Sequence, residues 1–115
     1  MSSLASAIQR FIEHLEQVRQ LSPHTVKSYQ RDLLSFTQWL EQTHQTQPFS
    51  ALQKHHVQQF SAHLFRQGKS TKTIQRHLSS LRSLFRFLVH QRECRNNPAE
   101  DVRAPKHAQR LPEVV

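Results

Sequence analysis

Ser70-Thr71-Lys72-Thr73-Ile74-Gln75-Arg76-His77-Leu78-Ser79-Ser80-Leu81-Arg82-Ser83-Leu84-Phe85-Arg86-Phe87-Leu88 carries the cleanest helical pattern of the chain. Ile74, Leu78, Leu81, Phe85 and Leu88 recur at steps of three and four, the spacing that lines one face of a helix. Lys72, Gln75, Arg76, Ser79, Ser83 and Arg86 fall on the opposite side, with Arg82 nearer the flank. Ser70 suits the N-cap, where its hydroxyl accepts a bond from a backbone N–H that the first turn leaves without a partner. Just upstream, Gly68 fits the left-handed residue that closes a preceding helix.

Before Gly68, Val57, Phe60 and Leu64 give a helix over about 54–67. Ser22-Pro23 is a start signal of the same kind, since proline at the first helical position loses no hydrogen bond. From it Val26, Tyr29, Leu33, Phe36 and Leu40 form a stripe, Trp39 beside it, to about Thr43. The face opposite carries His24, Lys27, Ser28, Arg31, Ser35 and Gln38. Leu4, Ile8, Phe11, Leu15 and Val18 predict a first helix over about 3–20. The connection through Pro48 reads as a surface segment from which Phe49 and Leu52 tuck into the core. Asn97-Pro98 predicts a short fifth helix that ends before Pro105. One glycine in 115 residues, and no alternating apolar and polar run, argue against sheet. The class is all-α with four to five helices, one domain over residues 1–106, and linker composition over 107–115.

Sixteen Lys and Arg face eight Asp and Glu, for a net charge of +8. Residues 42–92 contain no acid, yet hold Lys54, Arg66, Lys69, Lys72, Arg76, Arg82, Arg86 and Arg92. A merely solubilising surface intersperses both signs, so this pattern points to a polyanion partner. The second and fourth predicted helices both begin with hydroxyls and cations: Ser22, His24, Thr25, Lys27, Ser28 and Arg31 on one, Lys69, Ser70, Thr71, Lys72 and Thr73 on the other. With Gln75, Arg76, Ser79, Arg82 and Arg86, they form the expected DNA-binding set. A helix fits the major groove and its N-terminus attracts phosphate. Single-strand readers expose aromatics for stacking, and here only Phe87 falls on a polar face, so duplex DNA is favoured over RNA.

Nothing suggests catalysis by this chain. It has no glycine-rich phosphate loop, framed carboxylate pair or nucleophile elbow, and Tyr29, the only tyrosine, reads as a core aromatic whose hydroxyl finds a partner at the edge. No two of the nine histidines stand three or four apart, so neither a metal nor any other cofactor is expected. His24 and His77 read as surface residues, and His55 and His56 as pointing to different sides of a helix. Cys94, the only cysteine, reads as an ordinary accessible thiol without a disulfide. The chain has no signal sequence and no membrane-length apolar run, which predicts a cytoplasmic protein.

Leu21-Ser22-Pro23-His24-Thr25, Tyr29, Arg31-Asp32-Leu33, Phe36 and Trp39-Leu40 resemble the LSxxTxxxYxxDLxxFxxWL opening of the core-binding domain of tyrosine recombinases, the phage-integrase family. Ser70-Thr71-Lys72-Thr73-Ile74, then Arg76 to Phe85, Asn97-Pro98-Ala99, Ala104-Pro105-Lys106 and Leu111-Pro112 agree in order. The start and the ending look most like the Xer recombinases of bacteria, the C-type more than the D-type. The resemblance implies a SAM-like orthogonal bundle whose second and fourth helices lie against the major groove. It further implies a parent enzyme that cuts and rejoins DNA through a phosphotyrosine without metal or high-energy cofactor, its arginine-rich active site and tyrosine lying beyond this chain. Such parents resolve chromosome dimers at cell division as a heterotetramer with a partner recombinase, under a septal DNA translocase. The piece alone is expected to be an inert monomer. Three readings stay open beside this one: a phage or transposon integrase domain, a stand-alone regulator, and a basic protein-interaction module.

Overall fold

A computed structural model describes residues 3–105, and in it four α-helices carry the fold: α1 Leu4–Gln17, α2 Pro23–Gln42, α3 Lys54–Arg66 and α4 Thr71–His90. No strand occurs among the described residues. Each helix brings one fully buried phenylalanine to a single core: Phe11, Phe36, Phe60 and Phe85. Phe36 meets Phe60 edge-on at 5.2 Å, and Trp39 lies 5.5 Å from Phe60, the offset geometry that aromatic rings prefer. Phe49 and Leu52 enter this core as expected, from a 3-10 turn, Phe49–Ala51, that periodicity had not revealed.

Helix boundaries follow local chemistry. Ser22 Oγ accepts from the Thr25 N–H at 3.2 Å, with Pro23 opening α2, and Ser70 Oγ accepts from the Thr73 N–H at 3.1 Å. Helices α2, α3 and α4 close alike. A residue at positive φ (His44, Gly68, Arg92) lets the next N–H reach back, from Gln45 to the Leu40 carbonyl, Lys69 to Leu64 and Glu93 to Leu88. Only at Gly68, φ 85°, is that turn free of a Cβ penalty.

Several local features depart from what the sequence predicts. The fifth helix is absent: Asn97 Oδ1 accepts from the Ala99 N–H and its Nδ2 donates to the Arg82 carbonyl, while the turns that follow close on three-residue spacing, Glu100 to Asn97 and Val102 to Ala99. Ala99, Val102 and Ala104 are buried and Ser61 Oγ donates to the Arg103 carbonyl, so the segment is a strap pinned across the bundle. α1 ends at Gln17, which leaves Val18 69% exposed while Ala7 and Ile12 are buried instead. Cys94 is buried rather than accessible, and burial, with Glu93 beside it, pushes its thiol pKa up. The rings of His55 and His56 lie 4.0 Å apart rather than on different sides, because His56 Nδ1 accepts the Gln53 N–H in a capping contact. Phe87 is not a free aromatic: it packs 5.5 Å from Phe11 and 5.0 Å from His14. The linker expected over 107–115 lies outside the described residues.

Candidate nucleic-acid interface

The seam between α2 and α4 is held by a polar cluster. Asp32, 1% exposed, accepts from Arg76 Nε at 3.1 Å and Nη2 at 2.8 Å, and from Ser80 Oγ at 2.8 Å. Further along, Tyr29 Oη lies 3.5 Å from Ser83 Oγ, so its hydroxyl does find an edge partner. Later residues of α2 thus meet earlier residues of α4, and the two helices run in opposite senses along the seam. Asp32 was not singled out from the sequence. The available signal was an acid on the apolar side of α2, between Tyr29 and Phe36.

Beside the cluster a cleft of about 260 Å³ is lined by Arg31, Ser35 and Gln38 of α2, and by Thr73 and Arg76 of α4 with Lys69 ahead of it. Among the described residues its one carboxylate is Asp32, already matched by Arg76, so Arg31 and Lys69 leave the cleft cationic. The fold therefore brings Arg31 together with Lys69, Thr73 and Arg76, as two cationic helix faces pointing one way require. Lys72, Gln75, Ser79 and Arg86 are exposed elsewhere on α4, and Ser22, His24, Thr25 and Lys27 at the start of α2. Ser28, Thr71 and Arg82 are half-buried. The hydroxyls of Ser22 and Ser70 are engaged in capping, paired also with Thr25 and Thr73 Oγ1 at 3.0 and 3.1 Å. Arg76 serves the seam, yet its side chain stays 46% exposed at the cleft. Its bonds to Asp32 raise its pKa and keep it charged.

His77 departs from its expected surface position. It is 6% exposed, against Phe60 and 3.6 Å from Asp32, and its Nδ1 has no hydrogen-bond partner. Burial lowers its pKa below the ordinary 6.5, with Arg76 and Lys69 adding to this and Asp32 opposing it. The folded imidazole holds a proton less tightly than the unfolded one, so this stability is complete above pH 6.5 and is lost as pH falls toward the folded value. His56 and His63 shift the same way, largely through burial. Urea melts at about pH 7.5 and about pH 5.5 are expected to show lower stability at the acid end, and His77→Leu to reduce the slope, by up to about 1.4 kcal/mol per pH unit. An unchanged slope in that variant contradicts a buried neutral His77.

Among the described residues no cluster of His, Cys, Asp and Glu could hold a metal ion, and no helix is long and apolar enough to cross a membrane. What the surface offers chemically is fixed positive charge on two adjacent helices, which suits phosphate.

The chain is similar to known proteins over most of its length. The family described as phage integrase, N-terminal SAM-like domain, matches residues 8–92. The chain is 47% identical over 108 residues to tyrosine recombinase XerC of Alcanivorax borkumensis, covering 94% of this chain and 34% of that protein. It is 35% identical over 112 residues to tyrosine recombinase XerD of Oceanobacillus iheyensis, covering 97% and 38%. To XerC of Pseudomonas aeruginosa it is 35% identical over 108 residues, covering 94% and 35%. The chain thus spans about a third of the length of the curated relatives it matches. No solved structure matches it.

Proposed function

The chain belongs to the family of phage integrase N-terminal SAM-like domains, and from that premise we propose that it binds duplex DNA as the N-terminal part of a Xer-type tyrosine recombinase. The outward faces of α2 and α4 lie against the major groove, and Arg31, Lys69, Lys72 and Arg86 meet phosphates at its edges. Base contacts fall to Gln75, Ser79 and Arg82 further along α4. Strand cleavage and rejoining belong to the rest of the enzyme, so this piece binds without reacting. In the cell the parent works in the cytoplasm on chromosome dimers at division, paired with a second recombinase and switched by a septal DNA translocase.

The observation that carries the reading is the cleft at the α2–α4 seam, where the cations of both helices converge and the only carboxylate among the described residues is buried and matched. Binding of this kind is driven by counterion release, so log K falls with log salt by about 0.9 for each phosphate neutralised. A labelled duplex titrated at two salt concentrations is expected to bind weakly and to lose affinity steeply as salt rises, with a shallower slope for Lys72→Ala. Salt-insensitive binding, or none, counts against the proposal. A pulldown of protein that survives nuclease treatment is the result a protein-interaction module would give instead.

A further inference from the structure

A second cation-lined hollow, of about 210 Å³, lies between α1 and α4, and of the cations assigned to DNA above it contains Arg86. Arg19 from the turn after α1 lines it together with Arg86 and His90 of α4, with His14 at its wall and no carboxylate among the described residues that line it. The wall is built rather than incidental. The His14 ring lies 5.0 Å from Phe87, which in turn packs on the buried Phe11, and Glu13 on the same helix is held elsewhere by Gln9. Ser83 lines this hollow and also approaches the Tyr29 hydroxyl, so the hollow adjoins the α2–α4 seam on the same helix that carries Ser80 and Arg76 to Asp32.

Arg76 at the first cleft and Arg86 at the second stand ten residues apart on one helix, about 15 Å along its axis at about 1.5 Å per residue. The major groove is about 12 Å wide between its two backbones. We infer that the two hollows hold the phosphates that border one major groove on its two sides, the Arg31/Lys69 cleft on one strand and the Arg19/Arg86 hollow on the other. α4 then spans the groove between two anchors. This rests on the duplex-binding reading and adds to it Arg19, His14 and His90, together with the strand that each hollow meets.

The test is a set of duplexes, each with a single neutral methylphosphonate linkage, titrated with the full chain. Wild type is expected to lose affinity at two groups of linkages, one on each strand, flanking the same major groove. Arg19→Ala with Arg86→Ala removes the sensitivity on one strand and lowers the salt slope by about 2, whereas Arg31→Ala with Lys69→Ala removes it on the other. All four side chains are exposed, so unchanged melting curves show that the variants fold. An unchanged slope and pattern in the Arg19/Arg86 variant, or sensitive linkages confined to one strand, overturns the two-anchor inference and leaves the duplex-binding reading standing. Absence of wild-type binding to any duplex overturns that reading and the inference with it.

Discussion

Arg76→Met lowers the folding free energy by about 3 kcal/mol, read from urea denaturation. Asp32 is 1% exposed, and Arg76 supplies the charged hydrogen bonds that compensate its removal from water; in the variant only Ser80 Oγ still donates to it. Stripping one partner from a buried ion pair costs about 3–5 kcal/mol, because the other charge is left unmatched. The low end applies, since the Arg76 side chain is 46% exposed and water can follow into the space it leaves. Asp32→Asn is expected to cost less, because a half-exposed guanidinium rehydrates easily. The double variant should recover part of the Arg76→Met loss, a coupling that a double-mutant cycle isolates. A loss below about 1 kcal/mol for Arg76→Met would show that water already reaches Asp32.

Arg31→Glu with Lys72→Glu weakens duplex binding about 100-fold at about 0.1 M salt. Each lost phosphate contact forgoes release of about 0.9 counterion, a factor of about eight at that concentration, and the new carboxylates repel the backbone besides. The effect should shrink steadily toward about 1 M salt, where such charges are screened. Both residues are exposed and Asp32 keeps its own partner, so the fold is not at risk. A change under threefold in fluorescence anisotropy titrations would remove these helix faces from the interface.

What was legible in the sequence was what is local. Ser22-Pro23 and Ser70 announce their helices because a cap is satisfied within three residues, and the α4 stripe from Ile74 to Leu88 is buried as spacing predicts. The cationic faces were legible too, since long charged side chains seldom lie anywhere but at the surface. Polar groups in the interior were not. Asp32 and His77 are buried because of each other and of Arg76 and Ser80, partners that arrive from another helix more than 40 residues away for Asp32. Periodicity places a residue on a face, but not the depth to which a neighbouring helix covers it. The same blindness put Val18 in the core and Phe87 outside it. Asn97-Pro98 misled for another reason: a cap signal marks a helix start only when the following backbone is free to wind, and here buried Ala99 and Val102 hold it in turns.

Backbone amide shifts of the labelled chain, followed by NMR during titration with a duplex, test the shared α2–α4 surface most directly. The shifts are predicted to gather on the exposed positions of residues 27–38 and 69–86, with Arg31, Lys69 and Thr73 among the largest, and to spare the acid-bearing side of α1 around Gln9, Glu13 and Glu16. Shifts centred instead on that side of α1, or on the groove between Leu4, Leu34 and Phe49, would contradict it.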